Sequence, residues 1–188
     1  RYSLAYTQFI LSILTPVITM RLLAEENKTG TIEPLMTAPV TDFEVVFGKF
    51  LAAWALYNVM IAPTAFYIIF LAWVGSPDYG AIIASYIGLV LMGGLFISIG
   101  LLVSAITKNQ IVAAVIGIVS LLILLVIGLA SSGGEGWFYH ALSYIGTYEH
   151  WDTFTKGIVD TRDVIYYVSF TALLIFIVVR IVESRRWR

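Results

Sequence analysis

Four long stretches of this chain contain no charged residue, and a fifth, shorter stretch follows near the C-terminus. The four stretches are 2–20, 50–77, 79–107 and 109–134, and the shorter one is 164–179. A chain of 188 residues has too little interior to hide so many apolar side chains from water. About 20 apolar residues in a helix cross the roughly 30 Å hydrocarbon core of a bilayer. The sequence therefore predicts an all-α polytopic membrane protein.

Composition supports the same class. Hydrophobic residues make up 60% of the chain and charged residues 12%, whereas a typical soluble domain is about a quarter charged. The net charge of −1 gives no overall field that would attract nucleic acid. Because the chain contains no cysteine, disulfides and thiolate metal sites are excluded.

We predict five spans, each of them helical because unsatisfied backbone groups are costly in lipid. Two prolines, Pro16 and Pro63, lie inside predicted spans and should kink them. Pairs of small residues four apart, such as Gly100 with Ser104 and Ala113 with Gly117, allow helices to pack closely in one bundle, or alternatively along a dimer seam. The spans lie at about 2–23, 46–74, 80–106, 110–130 and 163–182.

Basic residues are distributed unequally between the two sides that five spans define. Eight of them fall on the side that holds the 24–45 segment, the 107–109 turn and the C-terminus, and three fall on the other side. Positive charge marks the cytoplasmic side, so we expect the C-terminus there. A cytoplasmic N-terminus would then require one more span before Arg1, which makes six. The eight are Arg21, Lys28, Lys49, Lys108, Arg180, Arg185, Arg186 and Arg188, and the three are Arg1, Lys156 and Arg162.

The cytoplasmic segment 25–42 is too polar to span a bilayer and too apolar to be a simple tether. Thr31 is suited to cap a short helix, and Glu33 falls in its first turn, where a carboxylate suits the helix dipole. Three apolar residues then share one helical face: Ile32, Leu35 and Met36. Thr41 or Asp42 caps the next helix. From these residues alone, the short helix either lies in the membrane interface or docks into a soluble partner.

The external segment 131–162 is rich in aromatic residues, which at a membrane boundary usually form an interfacial belt. We predict a short helix near 137–145 and a second element near 151–158, with aromatic side chains toward lipid or span ends. The alternative is a gate over the outer mouth of a pathway. The aromatic residues are Trp137, Phe138, Tyr139, Tyr144, Tyr148, Trp151 and Phe154.

No pattern of catalytic or metal-binding residues is visible. His140, Glu149, His150 and Asp152 lack the HExxH spacing, so we predict no metal site. No Ser/His/Asp or Cys/His set is arranged for nucleophilic catalysis. Histidines and carboxylates are expected only in solvent-facing loops, and the span interiors carry no ionisable relay. The chain is therefore not predicted to be an enzyme or a proton-coupled pump.

Two short stretches, one near each end of the chain, carry recognisable patterns. The first stretch contains, in order, Glu25 and Glu26, Gly30 and Thr31, Glu33, Leu35 and Met36, Pro39, then Gly48 and Lys49. The C-terminal stretch is FTKGIVD at 154–160, followed after the last span by ESRRW at 183–187. Together these stretches resemble the type-2 ABC exporter permease family, most closely its gliding-motility-associated branch.

This resemblance implies that segment 25–42 is a coupling helix that docks on a separate ABC ATP-binding subunit. The chain has no GxxxxGK[ST] loop, so ATP and Mg²⁺ are expected on that subunit, with no cofactor bound here. The residues expected to carry coupling are Glu25, Glu26, Thr31, Glu33, Leu35 and Met36.

We therefore expect a permease subunit of an ATP-driven exporter, paired with a second copy or a related permease, in a bacterial inner membrane. The alternative is a membrane scaffold or mechanical component of a gliding or secretion machine that moves no cargo. Five polar residues of the first and second spans are candidates for lining a pathway: Tyr6, Gln8, Thr15, Tyr57 and Asn58.

Overall fold

The computed structural model describes residues 2–29, 41–75, 78–131 and 136–186. This part of the chain forms helices and turns without any strand, and five of its helical stretches are long and apolar enough to cross a membrane, which confirms the predicted class. The helices are α1 (Tyr2–Thr19), α2 (Ala24–Thr29), α3 (Asp42–Ile61), α4 (Ala65–Val74), α5 (Tyr79–Ile106), α6 (Gln110–Ser131), α7 (Trp137–Ile145), α8 (Thr147–Thr155) and α9 (Thr161–Arg186).

The second span is interrupted where the sequence places a proline. Helix α3 ends at Ile61, a 3₁₀ turn covers Ala62–Thr64, and α4 continues from Ala65. Pro63 has no N–H for the helical ladder, and its ring crowds the preceding turn. The kink predicted at Pro63 corresponds to this interruption, whereas Pro16 lies inside α1, which continues to Thr19.

Helix α5 forms the centre of the bundle. Its sequence is apolar on every side, and it packs against α9, α1, α6 and α3. Ile97 and Leu101 belong to a core cluster shared with α3 and α9, while Met92 and Phe96 belong to a second cluster shared with α8 and α9. The core therefore runs along the length of α5.

Small residues let α1 lie close to both α5 and α6. A Cβ atom added to Gly100 on α5 would lie 2.0 Å from Oγ1 of Thr19, and one added to Gly117 on α6 would lie 2.9 Å from Cβ of Pro16. Both approaches leave no room for a side chain. At these two glycines the small residues serve packing within the bundle.

Helices α7 and α8 cover one end of the bundle. Helix α7 matches the short helix predicted near 137–145, whereas α8 begins at Thr147 rather than near 151. It ends in a Schellman motif, in which Ile158 N–H donates to Thr153 O and Gly157 N–H donates to Phe154 O. Gly157 has a φ of 83°, a left-handed conformation that glycine adopts without a Cβ clash.

In α8 two aromatic side chains face span ends, one of the two predicted orientations, and do not form a lipid-facing belt. Trp151 and Phe154 are 1% and 0% exposed, and they pack in the second core cluster with Leu89 and Tyr167. Gly88 makes room for Phe154, because a Cβ there would lie 2.7 Å from the Phe154 ring. Trp137 of α7, by contrast, is 82% exposed. One face of α8 is therefore core, a distinction that aromatic content alone does not make.

Candidate coupling site and groove

Helix α2 carries the first residues of the predicted coupling segment. Glu25 is exposed, whereas Glu26 is turned toward α3. Thr31, Glu33, Leu35 and Met36 lie outside the described residues, so their roles stay predictions. The described part of the segment is therefore its start, at α2, and its end, at Thr41 and the first turn of α3.

An ion pair joins this start to α3. Nζ of Lys49 lies 2.5 Å from Oε1 of Glu26 and donates a second hydrogen bond, of 2.8 Å, to the carbonyl oxygen of Leu22. The Lys49 and Glu26 side chains are only 21% and 27% exposed. The ammonium group thus faces the turn between α1 and α2.

A second set of contacts joins α2 to the last turn of α5. Oγ of Ser104 accepts hydrogen bonds from Leu23 N–H at 3.0 Å and Ala24 N–H at 2.9 Å, and donates to Met20 O at 3.1 Å. The N–H groups at the start of a helix have no partner within that helix, and here two of them donate to a side chain of a neighbouring helix. Asn27 Nδ2 lies within 3.4 Å of three carbonyl oxygens at the end of α5, those of Ser104, Ala105 and Thr107.

The end of the segment has its own cap. Oγ1 of Thr41 accepts a hydrogen bond from Glu44 N–H at 3.3 Å, and Thr41 N–H donates to Glu44 Oε2 at 2.8 Å. This reciprocal arrangement is a capping box. Of the two caps that the sequence allowed, Thr41 is the one used.

The five candidate pathway residues are not brought together. Gln8 is buried and donates to Thr147 Oγ1 at 2.6 Å, so it ties α1 to α8. Thr15 and Asn58 donate to carbonyl oxygens one turn back on their own helices. Tyr6 is 65% exposed on the surface of α1. Tyr57 is buried and donates to Leu89 O at 3.0 Å.

A groove of about 570 Å³ lies between α1, α3, α4 and α5, and Tyr57 contributes to its wall. Its lining carries no charged residue. Polar side chains on the wall include Thr64 and Tyr86, whose hydroxyl oxygens are 2.6 Å apart. Sequence reasoning missed both residues, although the break at Pro63 marks the turn from which Thr64 projects. The arrangement accommodates an apolar or amphiphilic molecule and offers no counter-charge.

Sequence reasoning also missed a buried histidine–aspartate contact. His150 of α8 and Asp163 of α9 were expected in solvent-facing loops, and this expectation is wrong, because both side chains are buried. Nδ1 of His150 contacts Asp163, Nε2 lies 3.1 Å from Tyr144 O, and the ring stacks on Tyr166 at 3.9 Å between centroids. The fold of α8 over the start of α9 removes both groups from water.

Within the described residues, no group of three or more His, Asp or Glu side chains is placed to hold a metal ion. His150 has a single carboxylate partner and a stacked tyrosine. The geometry of this pair is that of a structural tie between helices.

Comparison with known families agrees with the helical architecture. A family described as ABC-2 family transporter protein matches residues 3–182, nearly the whole chain. No curated protein and no solved structure matches the chain. The match includes α2 and the cap at Thr41 as well as the five long helices.

Proposed function

The chain belongs to the ABC-2 transporter family as a membrane permease subunit that is not itself an enzyme, and from this membership we propose that it is the permease of an ATP-driven exporter. ATP and Mg²⁺ are held by a separate ABC ATP-binding subunit. A second copy, or a related permease, completes the transport unit. Segment 25–42 is the docking element for the ATP-binding subunit.

The attachment of this segment is the observation that carries the proposal. Its start is bonded to α5 through Asn27 and Ser104, and to α3 through Glu26 and Lys49. A segment that merely re-entered the membrane would not need bonds to two core helices. A segment that receives motion from a partner does, because rigid-body changes travel through packed and bonded elements.

The groove supports a pathway along the first and second spans. It is bounded by α1 on one side and by α3 and α4 on the other, and its uncharged wall suits an apolar or amphiphilic cargo. Of the residues predicted to line a pathway, Tyr57 lies on this wall; Tyr6, Gln8, Thr15 and Asn58 remain candidates only by their polarity.

Orientation follows from the clustering of basic residues at one end of the bundle. Asn27 contacts Thr107 O beside Lys108, and one core cluster contains Leu23, Val46 and Val182, so these helix ends lie together. Positive charge favours the cytoplasmic side. We propose that this end and the C-terminus are cytoplasmic, in a bacterial inner membrane.

The test is a charge placed on the apolar face of the segment. Met36→Asp should still insert into the membrane but should bind the ABC ATP-binding subunit at least about tenfold more weakly, because a buried carboxylate would have to be desolvated in the partner's groove. Lys108→Asp, which adds negative charge at the same end of the bundle, is the matched control and should bind normally. Unchanged binding and ATP hydrolysis in Met36→Asp would mean that the segment is an interfacial re-entry helix.

The non-transporting scaffold makes a different prediction. In proteoliposomes, an exporter's ATP hydrolysis rises when cargo is added, whereas a scaffold of a gliding or secretion machine hydrolyses ATP at a rate that no cargo changes. The resemblance of the two sequence motifs, taken together, to the gliding-motility-associated branch is the reason to run this comparison.

A further inference from the structure

We propose that Lys49 is a positioning residue for coupling, because its bond to Glu26 makes the start of segment 25–42 move together with α3. This inference rests on the proposed function, since it assumes that the segment receives motion from an ATP-binding subunit. The family match itself assigns no role to Lys49.

The ammonium group of Lys49 points toward α2 and the turn before it. Lys49 lies near the end of the bundle, where a lysine commonly extends toward water to anchor a span. Its Nζ instead contacts Glu26 Oε1 and Leu22 O, at 2.5 and 2.8 Å. Charge-assisted hydrogen bonds of this kind are stronger than neutral ones. Because the pair is partly buried, salt screens it less than it would screen an exposed surface pair.

The bond between Glu26 and Lys49 also closes a loop of the chain. Glu26 and Lys49 are 23 residues apart, and the chain between them contains the whole predicted docking helix. The bond therefore holds the start of the segment against α3, the helix that begins where the segment ends. A displacement of the segment by its partner is therefore transmitted to α3 through this contact as well as through the backbone at Thr41.

The Glu26 carboxylate would be left without a cationic partner if Lys49 were removed. Its Oε2 is buried and has no hydrogen-bond partner among the described residues. Without Lys49, the partly buried Glu26 carboxylate would lose the one cationic contact it has among the described residues. It would then turn toward water and release α2 from α3, because an unpaired charge is costly to bury.

Asn27 determines what remains attached after this release. Its Nδ2 contacts to Ala105 O and Thr107 O, both 3.2 Å, bind α2 to the end of α5 independently of Lys49. Loss of Lys49 should therefore leave the segment folded and able to bind its partner. What should be lost is the transfer of motion to α3 and to α4, which follows it.

The experiment uses the permease assembled with its ABC ATP-binding subunit and needs no cargo. The chain has no cysteine, so Tyr67→Cys, on the groove wall in α4, carries a single bimane fluorophore attached before assembly. ATP with orthovanadate should change the bimane emission in the otherwise unaltered chain. Coupling free energies typically correspond to roughly 5–150-fold effects, so Lys49→Met should reduce this change at least about fivefold.

Three comparisons separate positioning from general damage. Glu26→Gln should reproduce the effect of Lys49→Met from the other side of the bond, and it tests the contact even if Lys49→Met fails to insert. Lys49→Arg keeps the charge and should keep the response. Lys108→Met, at an exposed position just after α5 and outside segment 25–42, is the matched control and should also keep it. Partner binding and ATP hydrolysis should stay within about twofold in Lys49→Met, Lys49→Arg and Lys108→Met, a margin small beside the fivefold loss expected. For Glu26→Gln, which lies in the docking segment, the bimane response is compared at equal amounts of bound partner.

The inference is overturned if Lys49→Met or Glu26→Gln shows the full bimane response with the partner bound. The proposed function fails separately, if the chain with only the Tyr67→Cys label binds no ATP-binding subunit or gives no response to ATP. The two failures are therefore distinguishable in one set of samples.

Discussion

His150 Nδ1 lies 2.6 Å from Asp163 Oδ1, and this contact ties α8 to the first turn of α9. Their side chains are 4% and 8% exposed. The two ring nitrogens of His150 lie beside Asp163 Oδ1 and Tyr144 O, so the ring bridges the start of α9 and the end of α7. The pair therefore holds the cover formed by α7 and α8 against the end of the last span.

We predict that removing one partner costs more than a surface ion pair would. His150→Leu or Asp163→Asn should each lower the free energy of unfolding by about 3 kcal/mol, because the remaining group is left buried without its partner. The double variant should cost less than the sum of the two. SDS titration of helical content measures all three.

Asp152→Asn is the control for this prediction. It breaks the exposed ion pair of Asp152 with Lys156, the residue that follows α8, and it should cost less than about 1 kcal/mol. Additive losses for His150 and Asp163 would show that the two side chains stabilise the protein independently.

The second prediction concerns the close approach of α3 to α5. A Cβ added to Gly93 would lie 2.0 Å from Cε1 of Tyr57, whose ring is buried. Gly93→Ala should therefore destabilise the protein by about 1–3 kcal/mol through overpacking. Gly48→Ala, on α3, has no atom within 4 Å of the new Cβ and should be neutral or stabilise by up to about 1 kcal/mol. Equal effects in a thermal unfolding assay would contradict the packing described for Tyr57.

The third prediction separates two tryptophans of the aromatic segment. Trp151→Ser should cost about 3–5 kcal/mol, because it opens a cavity in the core beside Phe154. Trp137→Ser should stay within about 0.5 kcal/mol, because this side chain is largely exposed. Unfolding in detergent compares the two. A loss for Trp137 as large as that for Trp151 would mean that α7 is anchored by its aromatic face.

The fourth prediction concerns orientation. Because the chain lacks cysteine, Lys108→Cys and Ser132→Cys each create one labelling site. In intact cells, a membrane-impermeant maleimide should label the Ser132 position and should label the Lys108 position only after permeabilisation. Labelling of both positions from one side would contradict the crossing of α6 between them.

Much of the architecture is local and therefore readable in the sequence. Uncharged runs predict the long helices because a charge inside lipid is costly. Pro63 predicts the break between α3 and α4, and Thr41 with Glu44 forms the capping box that an N-cap followed by an acidic residue favours. These features depend on a few neighbouring residues, so no knowledge of distant contacts is needed.

The contacts that define the candidate site are not local. Helix α5 is apolar all round, so its sequence carries no signal for which face meets α3 and which meets α9. Glu26 and Lys49 read as unrelated surface charges, and Trp151 reads as one more interfacial aromatic, until the helices are packed.

The sequence by itself determined the number of long apolar helices, the disruption of the second span at Pro63 and a cap at Thr41 or Asp42, because each follows from solvation or backbone geometry over a few residues. Only the tertiary structure decided that Lys49 bonds Glu26, that His150 and Asp163 are buried together, and that a groove opens beside Tyr57. Those outcomes depend on how separate helices rotate and approach one another. That choice is made by the packing of many side chains at once, and no periodicity along a single helix encodes it.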